Sequence, residues 1–210
     1  MRIGIALLTL TVGLVIAGQA SAQPAKERLV VGKVPAETPW KTITNASSGD
    51  HWLWEQVPAS ETGDDHTDIL IAQGFGNLAG ADPAVFLQGM VGLAQKDCNN
   101  VRANGPVPRI EDGHHIAYGQ IYCGRRNGQT YGLSRFYKII AGADALYVVE
   151  REITTPGSDT AGAMAFDKDH AQAALALMRA SAAANQFLDN SVYLCDAQST
   201  EPRCKAPPAP

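Results

Sequence analysis

The sequence contains no Gly-x-Ser-x-Gly elbow, no Cys-x-x-Cys pair and no complete dinucleotide-binding loop. The first absence removes the signature of an α/β-type serine hydrolase. The second removes that of a structural zinc site. The third leaves only Gly74-x-Gly76, which lacks the third glycine and the helix start that a nucleotide loop needs. No cofactor and no metal are therefore expected. A basic stripe is also missing: 17 Lys and Arg stand against 21 Asp and Glu, a net charge of −4. That balance argues against nucleic acid or anionic lipid as the main partner. Beyond the N-terminus there is no second long apolar run, so no membrane insertion of the mature chain is expected.

What is present begins with an export signal. Arg2 is followed by an apolar stretch from Ile3 to Ala17, then by Ala20-Ser21-Ala22 and Gln23-Pro24. A basic start, an apolar core and a small-x-small site make a secretory signal, with cleavage expected after Ala22. The run is too short for a bilayer span of roughly 20 residues. Four cysteines remain: Cys98, Cys123, Cys195 and Cys204. In an exported chain an even count reads as two disulfides, with three connectivities open. The short polar loop between Cys195 and Cys204 favours pairing those two, which leaves Cys98 with Cys123.

The remaining length suits one domain. Residues 1–22 read as signal peptide, 23–48 as an extended N-terminal segment, 49–204 as a single α+β domain and 205–210 as a Pro-rich disordered tail. Strands are expected over 51–57 and 68–75, then at roughly 116–123, 131–140 and 145–154. Asp82-Pro83 is a helix start, with an inner stripe of Phe86, Met90, Leu93 and Ala94. A second helix is expected from about Asp167 to Leu188, capped by Asp167 or Asp169, with Ala171, Leu175, Met178 and Ala182 facing inward. Strands on either side of these helices imply an antiparallel sheet packed between helical layers.

Candidate chemistry is sparse. His114 and His115 are adjacent and read as exposed turn histidines, because neighbouring strand residues face opposite ways. His66 sits among Asp64, Asp65 and Asp68, a spacing that fits a divalent cation or, more simply, a solvated acidic loop. His51 and His170 have no nearby partner, and Ser134 is mid-strand. A turn centred on Gly142-Ala143 would set Arg135 opposite Glu150 and Tyr137 opposite Val148. It would also set Phe136 against Val149 on the other face. Arg135, Glu150, Tyr137 and Tyr131 then share one face and form the candidate ligand-binding set. A plain cross-strand ion pair there would be exposed and worth about 1 kcal/mol or less.

Several segments together resemble a known group. Trp54-Glu55-Gln56-Val57-Pro58, the run His66 to Phe75, Cys98, Cys123 and Asp144 to Val149 resemble a group of uncharacterised exported proteobacterial proteins. The element order is similar to the PsbP/Mog1-like α/β/α sandwich. Where the group has Gly-Glu after Val-Pro, this chain has Ala59-Ser60-Glu61. The resemblance implies compartment and fold class, and no activity. The reading that results is a non-catalytic binding or accessory protein of the envelope, whose partner is an envelope protein or a small ligand. A periplasmic hydrolase or metal-dependent enzyme, and an inhibitor or immunity-type protein using the loop Ala59 to Thr67, are the alternatives.

Overall fold

The computed structural model describes residues 26–35, 38–63, 65–158 and 171–205. The signal peptide, Asp64, the helix caps at Asp167 or Asp169, His170 and residues 206–210 of the tail lie outside the described residues.

A seven-stranded antiparallel sheet is built from Trp40–Ser48 (β2), His51–Pro58 (β3), Asp68–Phe75 (β4), Cys98–Glu111 (β5), His114–Arg126 (β6), Tyr131–Ala141 (β7) and Leu146–Pro156 (β8), with the central β7 and β8 buried on both faces. The spatial order is β2-β3-β4-β8-β7-β6-β5. Glu27–Val31 (β1) and Val192–Asp196 (β9) pair separately as a two-stranded antiparallel sheet. The N-terminal segment read as extended thus contributes β1 and β2, which its turn-forming residues had hidden.

Among the described residues two α-helices complete the fold, Pro83–Asp97 (α1) and Ala171–Ser191 (α2). Asp82 caps α1, accepting the backbone N–H of Ala84 at 2.7 Å, with Pro83 at the first helical position. Leu87 and Ala94 of α1 pack on Ile121, Tyr137, Ile139 and Val148. Ala184, Phe187 and Leu188 of α2 pack on the other face, against Phe136, Ile140 and Val149. The small β1–β9 sheet closes the same core through Leu29, Val31, Val192 and Leu194.

The expected sandwich of a sheet between helical layers is overturned. Strand accounts for 52% and helix for 25%, so the fold is β-rich. The helices do not make layers: α1 lies across β5, β6 and β7, and α2 across β7, β8 and β9. Among the described residues neither helix packs broadly on β2, β3 or β4. Two stripes also differ from expectation. In α1 Leu93 is exposed and Leu87 is the buried anchor; in α2 Leu175 and Met178 are exposed while Ala174, Ala184, Phe187 and Leu188 are buried. Alanine-rich helices carry apolar spacing on several faces, and the large residues at the C-terminal end of α2 decide which face turns inward.

Both disulfides are formed, Cys98–Cys123 and Cys195–Cys204. The first fastens the α1–β5 junction to β6. The second holds the short turn Pro202–Lys205 against the back of β9, beside Val30. Two bridges mark a chain that folds where thiols oxidise. Among the described residues no helix is long and apolar enough to cross a membrane.

Candidate functional site

Cross-strand registry assembles the site on the sheet face that α1 partly covers. One row runs Thr44, Glu55, Ile71, Glu150, Tyr137, Gly119 from β2 to β6. The next runs Ile69, Glu152, Arg135, Ile121. Helix α1 stands directly on the sheet at Gly119, where a Cβ would lie 2.3 Å from Leu87 Cδ2. Towards β8, β4 and β3 that cover ends, and charged side chains replace the apolar ones.

Here a cleft of about 520 Å³ opens. Its apolar wall is Ile43, Ile69 and Ile71; its charged lining is Glu55, His66, Arg126, Arg135 and Glu152. Arg135 Nε donates to Glu152 Oε2 at 2.5 Å and lies 3.5 Å from Glu150 Oε1. Both carboxylates therefore approach the Nε edge of the guanidinium. His66 Nε2 stands 3.7 Å from Glu152 Oε1, while its Nδ1 lies 2.9 Å from the carbonyl of Gly63 and so carries the proton. The loop that delivers His66 is self-braced: Glu61 accepts both the backbone N–H and the hydroxyl of Thr67.

These neighbours set the protonation states. Burial pushes Glu150 up to about 7, against the pull of Arg135 and with the repulsion of Glu152. Burial acts on Glu152 in the same sense, but His66 and Arg135 outweigh it and hold that carboxyl below its usual range. The Glu152 carboxylate in turn raises His66. Tyr137 is raised by burial and then by the Glu150 carboxyl beside its hydroxyl. Two carboxylates two residues apart thus differ in ionisation because one faces His66 and Arg135 and the other is sealed beneath them.

Of the four residues named from sequence, Arg135, Tyr137 and Glu150 come together. Tyr131 does not join them; it packs with Leu133 and the Cys98–Cys123 bridge. The hairpin register also differs by two residues: Tyr137 pairs with Glu150, Arg135 with Glu152, and Phe136 with Arg151. The cause is a four-residue connection, 142–145, in which Asp144 accepts the backbone N–H of Lys26 at 2.5 Å and Glu27 accepts that of Asp144. Glu152, two residues from Glu150 on the same face, was legible from alternation. His66, Arg126 and Glu55 were not, since they arrive from a loop and from separate strands.

The remaining candidates disperse. Asp68 leaves the acidic loop to hold Arg151 bidentately, at 3.0 and 2.6 Å, on the opposite face. His51 stacks on Phe75, and Ser134 is buried. Among the described residues no group of three or more His, Cys, Asp or Glu could hold a metal ion.

Neither a family model nor a curated protein matches the chain. Among solved structures it is similar to LpqN of Mycobacterium tuberculosis, described as involved in cell envelope biogenesis, at 14% identity over 83% of this chain and 87% of that one. The TM-score of 0.37 is too low for that likeness to carry an argument.

Proposed function

We propose that this chain is an exported, non-catalytic binding protein of the bacterial envelope, released by cleavage after Ala22, and that its ligand sits in the cleft over β3, β4, β8 and β7. The observation that carries this is Arg135 held with Glu150 and Glu152, all three little exposed, with Arg135 and Glu152 lining an open cleft and Glu150 packed behind them. A buried ionic cluster is often less stabilising than apolar residues of the same volume. Such clusters in clefts are candidate functional sites for that reason. The aliphatic wall beside them gives the usual pattern of a binding pocket, mostly apolar with a few placed polar groups. Intact mass of the chain recovered from the periplasm should begin at Gln23. Backbone and methyl NMR against a panel of small anions, cations, sugars and peptides should move Ile43, Ile69 and Ile71. A panel that leaves all three unmoved refutes the cleft.

One observation favours a second reading. Neighbouring carboxyls with opposite shifts, Glu150 raised and Glu152 lowered, are the arrangement of an acid–base pair. A hydrolase reading requires turnover that disappears in Glu150→Gln while binding persists.

A further inference from the structure

Three basic side chains, His66, Arg126 and Arg135, and two acidic ones, Glu55 and Glu152, line the cleft, with Glu150 buried against Arg135, and the charges are unevenly spread along it. Arg135 spends its Nε edge on Glu152 and Glu150, and its terminal nitrogens make no hydrogen bond among the described residues. A guanidinium pinned from behind presents its free edge as a preorganised fork for a carboxylate. Arg126 lines the same end with no ion pair among the described residues. At the other end Glu55, on β3, also lines the cleft and has no ion pair among the described residues. Between them lie Ile69 and Ile71 of β4.

The basic and acidic ends are thus on different strands. β3 and β7 are three strand spacings apart, with β4 and β8 between them, and Arg135 lies one row along from Glu55, or ~16 Å on the diagonal at the usual strand spacing and rise. Side chains leaning inward shorten that gap. An extended peptide advances about 3.3–3.6 Å per residue. Two or three residues, with a hydrogen bond at each end, fill the remaining distance. A single amino acid leaves one end unpaired.

Resting on the cleft being the binding site, we propose that its ligand is a short zwitterionic peptide of two or three residues, its C-terminal carboxylate on the Arg135 fork and its N-terminal ammonium on Glu55. The small aliphatic wall takes its side chains. Arg126 adds charge at the carboxylate end, and Thr44 lies next to Glu55 in the row.

The test uses the full mature chain with trialanine and dialanine as probes, beside N-acetyl-dialanine, which lacks the ammonium, and dialanine amide, which lacks the carboxylate. Calorimetry gives affinity, and Ile69 and Ile71 methyl resonances report the place. Free peptides should bind, and blocking either end should weaken binding about tenfold or more, the scale of one charged hydrogen bond. Glu55→Gln should abolish the preference for a free ammonium and leave that for a free carboxylate. Arg126→Ala, at the exposed rim, should weaken carboxylate-bearing peptides and spare the amide. Arg135→Lys tests the fork itself, and the first two variants keep the question open to refutation if it does not fold. Blocked peptides that shift Ile69 and Ile71 and bind as well as free ones would overturn the zwitterion while leaving the cleft as a ligand site. If trialanine moves nothing but another small molecule moves those methyls, the peptide class is wrong. If no probe of any charge moves them, the cleft reading itself falls.

Discussion

Arg135 and Glu152 face each other across the β7–β8 pair, with Nε donating to Oε2 at 2.5 Å and little of either side chain exposed. This contact changes what Arg135 can be asked to show. An exposed edge pair would make Arg135→Ala nearly silent in stability. In the cleft the same substitution strands Glu152 and Glu150 without their shared cation. Loss of one partner from a buried pair costs on the order of 3–5 kcal/mol. Urea unfolding of Arg135→Ala should show a loss in that range. A loss under about 1 kcal/mol would mean that solvent reaches the cluster.

The two bridges should contribute unequally. Cys98–Cys123 spans 25 residues of sequence and Cys195–Cys204 spans 9. Loop-closure entropy assigns about 3 kcal/mol to the longer loop and somewhat less to the shorter. The paired Ser variants of each bridge, melted side by side, should rank in that order. The Cys195–Cys204 variant should also release the 202–205 turn, seen as faster amide exchange there with the large sheet unchanged. The reverse ranking would place the weight of the fold on β1 and β9.

Five strands were readable from short apolar runs bounded by turn residues, partly alternating in β3, β4 and β6 and nearly continuously buried in β7 and β8, which are covered on both faces. β5 was not, since Pro106, Pro108 and Gly105 argue against a strand. An edge strand tolerates them, as its outer N–H groups need no partner. A signal was present: Asp112 and Gly113, at φ 51° and 83°, form the two-residue turn that joins β5 to β6, and Asp-Gly is a hairpin marker. The site was half legible for a related reason. Alternation puts Arg135 and Tyr137 on one face, and Glu150 stays with them when the register shifts by an even number of residues, as it does here. The exact partner depends on how Asp144 and Glu27 lock the loop, a contact across more than a hundred residues.

Helix α1 owes its seat to a glycine. A Cβ at position 119 would meet Leu87 Cδ2 at 2.3 Å and Leu87 Cγ at 3.3 Å, and Leu87 is itself 1% exposed. Gly119→Ala should destabilise by about 1–3 kcal/mol, as overpacking does. Adding Leu87→Ala should cost less in that background than in the wild type, a coupling that a double-mutant cycle reads directly. Additive effects would show that α1 is held by its other contacts.

The pH dependence of stability should carry the mark of Glu150. Its folded value is raised to about 7 from an ordinary 4.5, chiefly by burial. The folded state therefore holds this proton more tightly than the unfolded chain. That contribution is fully present below about 4.5 and is lost as pH rises through about 7. Glu152 has the opposite sign: it is lowered, so its contribution is present above the ordinary carboxylate range and lost as pH falls through its folded value. His66, raised by Glu152, also loses stabilising effect as pH rises, but it is unchanged in a Glu150 variant and cancels in the comparison. Glu150→Gln keeps the shape of the protonated acid and cannot ionise. It should match the wild type near pH 5 and exceed it near pH 8, with the gap opening between those values in thermal melts. Parallel curves across that range would show that Glu150 stays ionised in the folded protein, held there by Arg135.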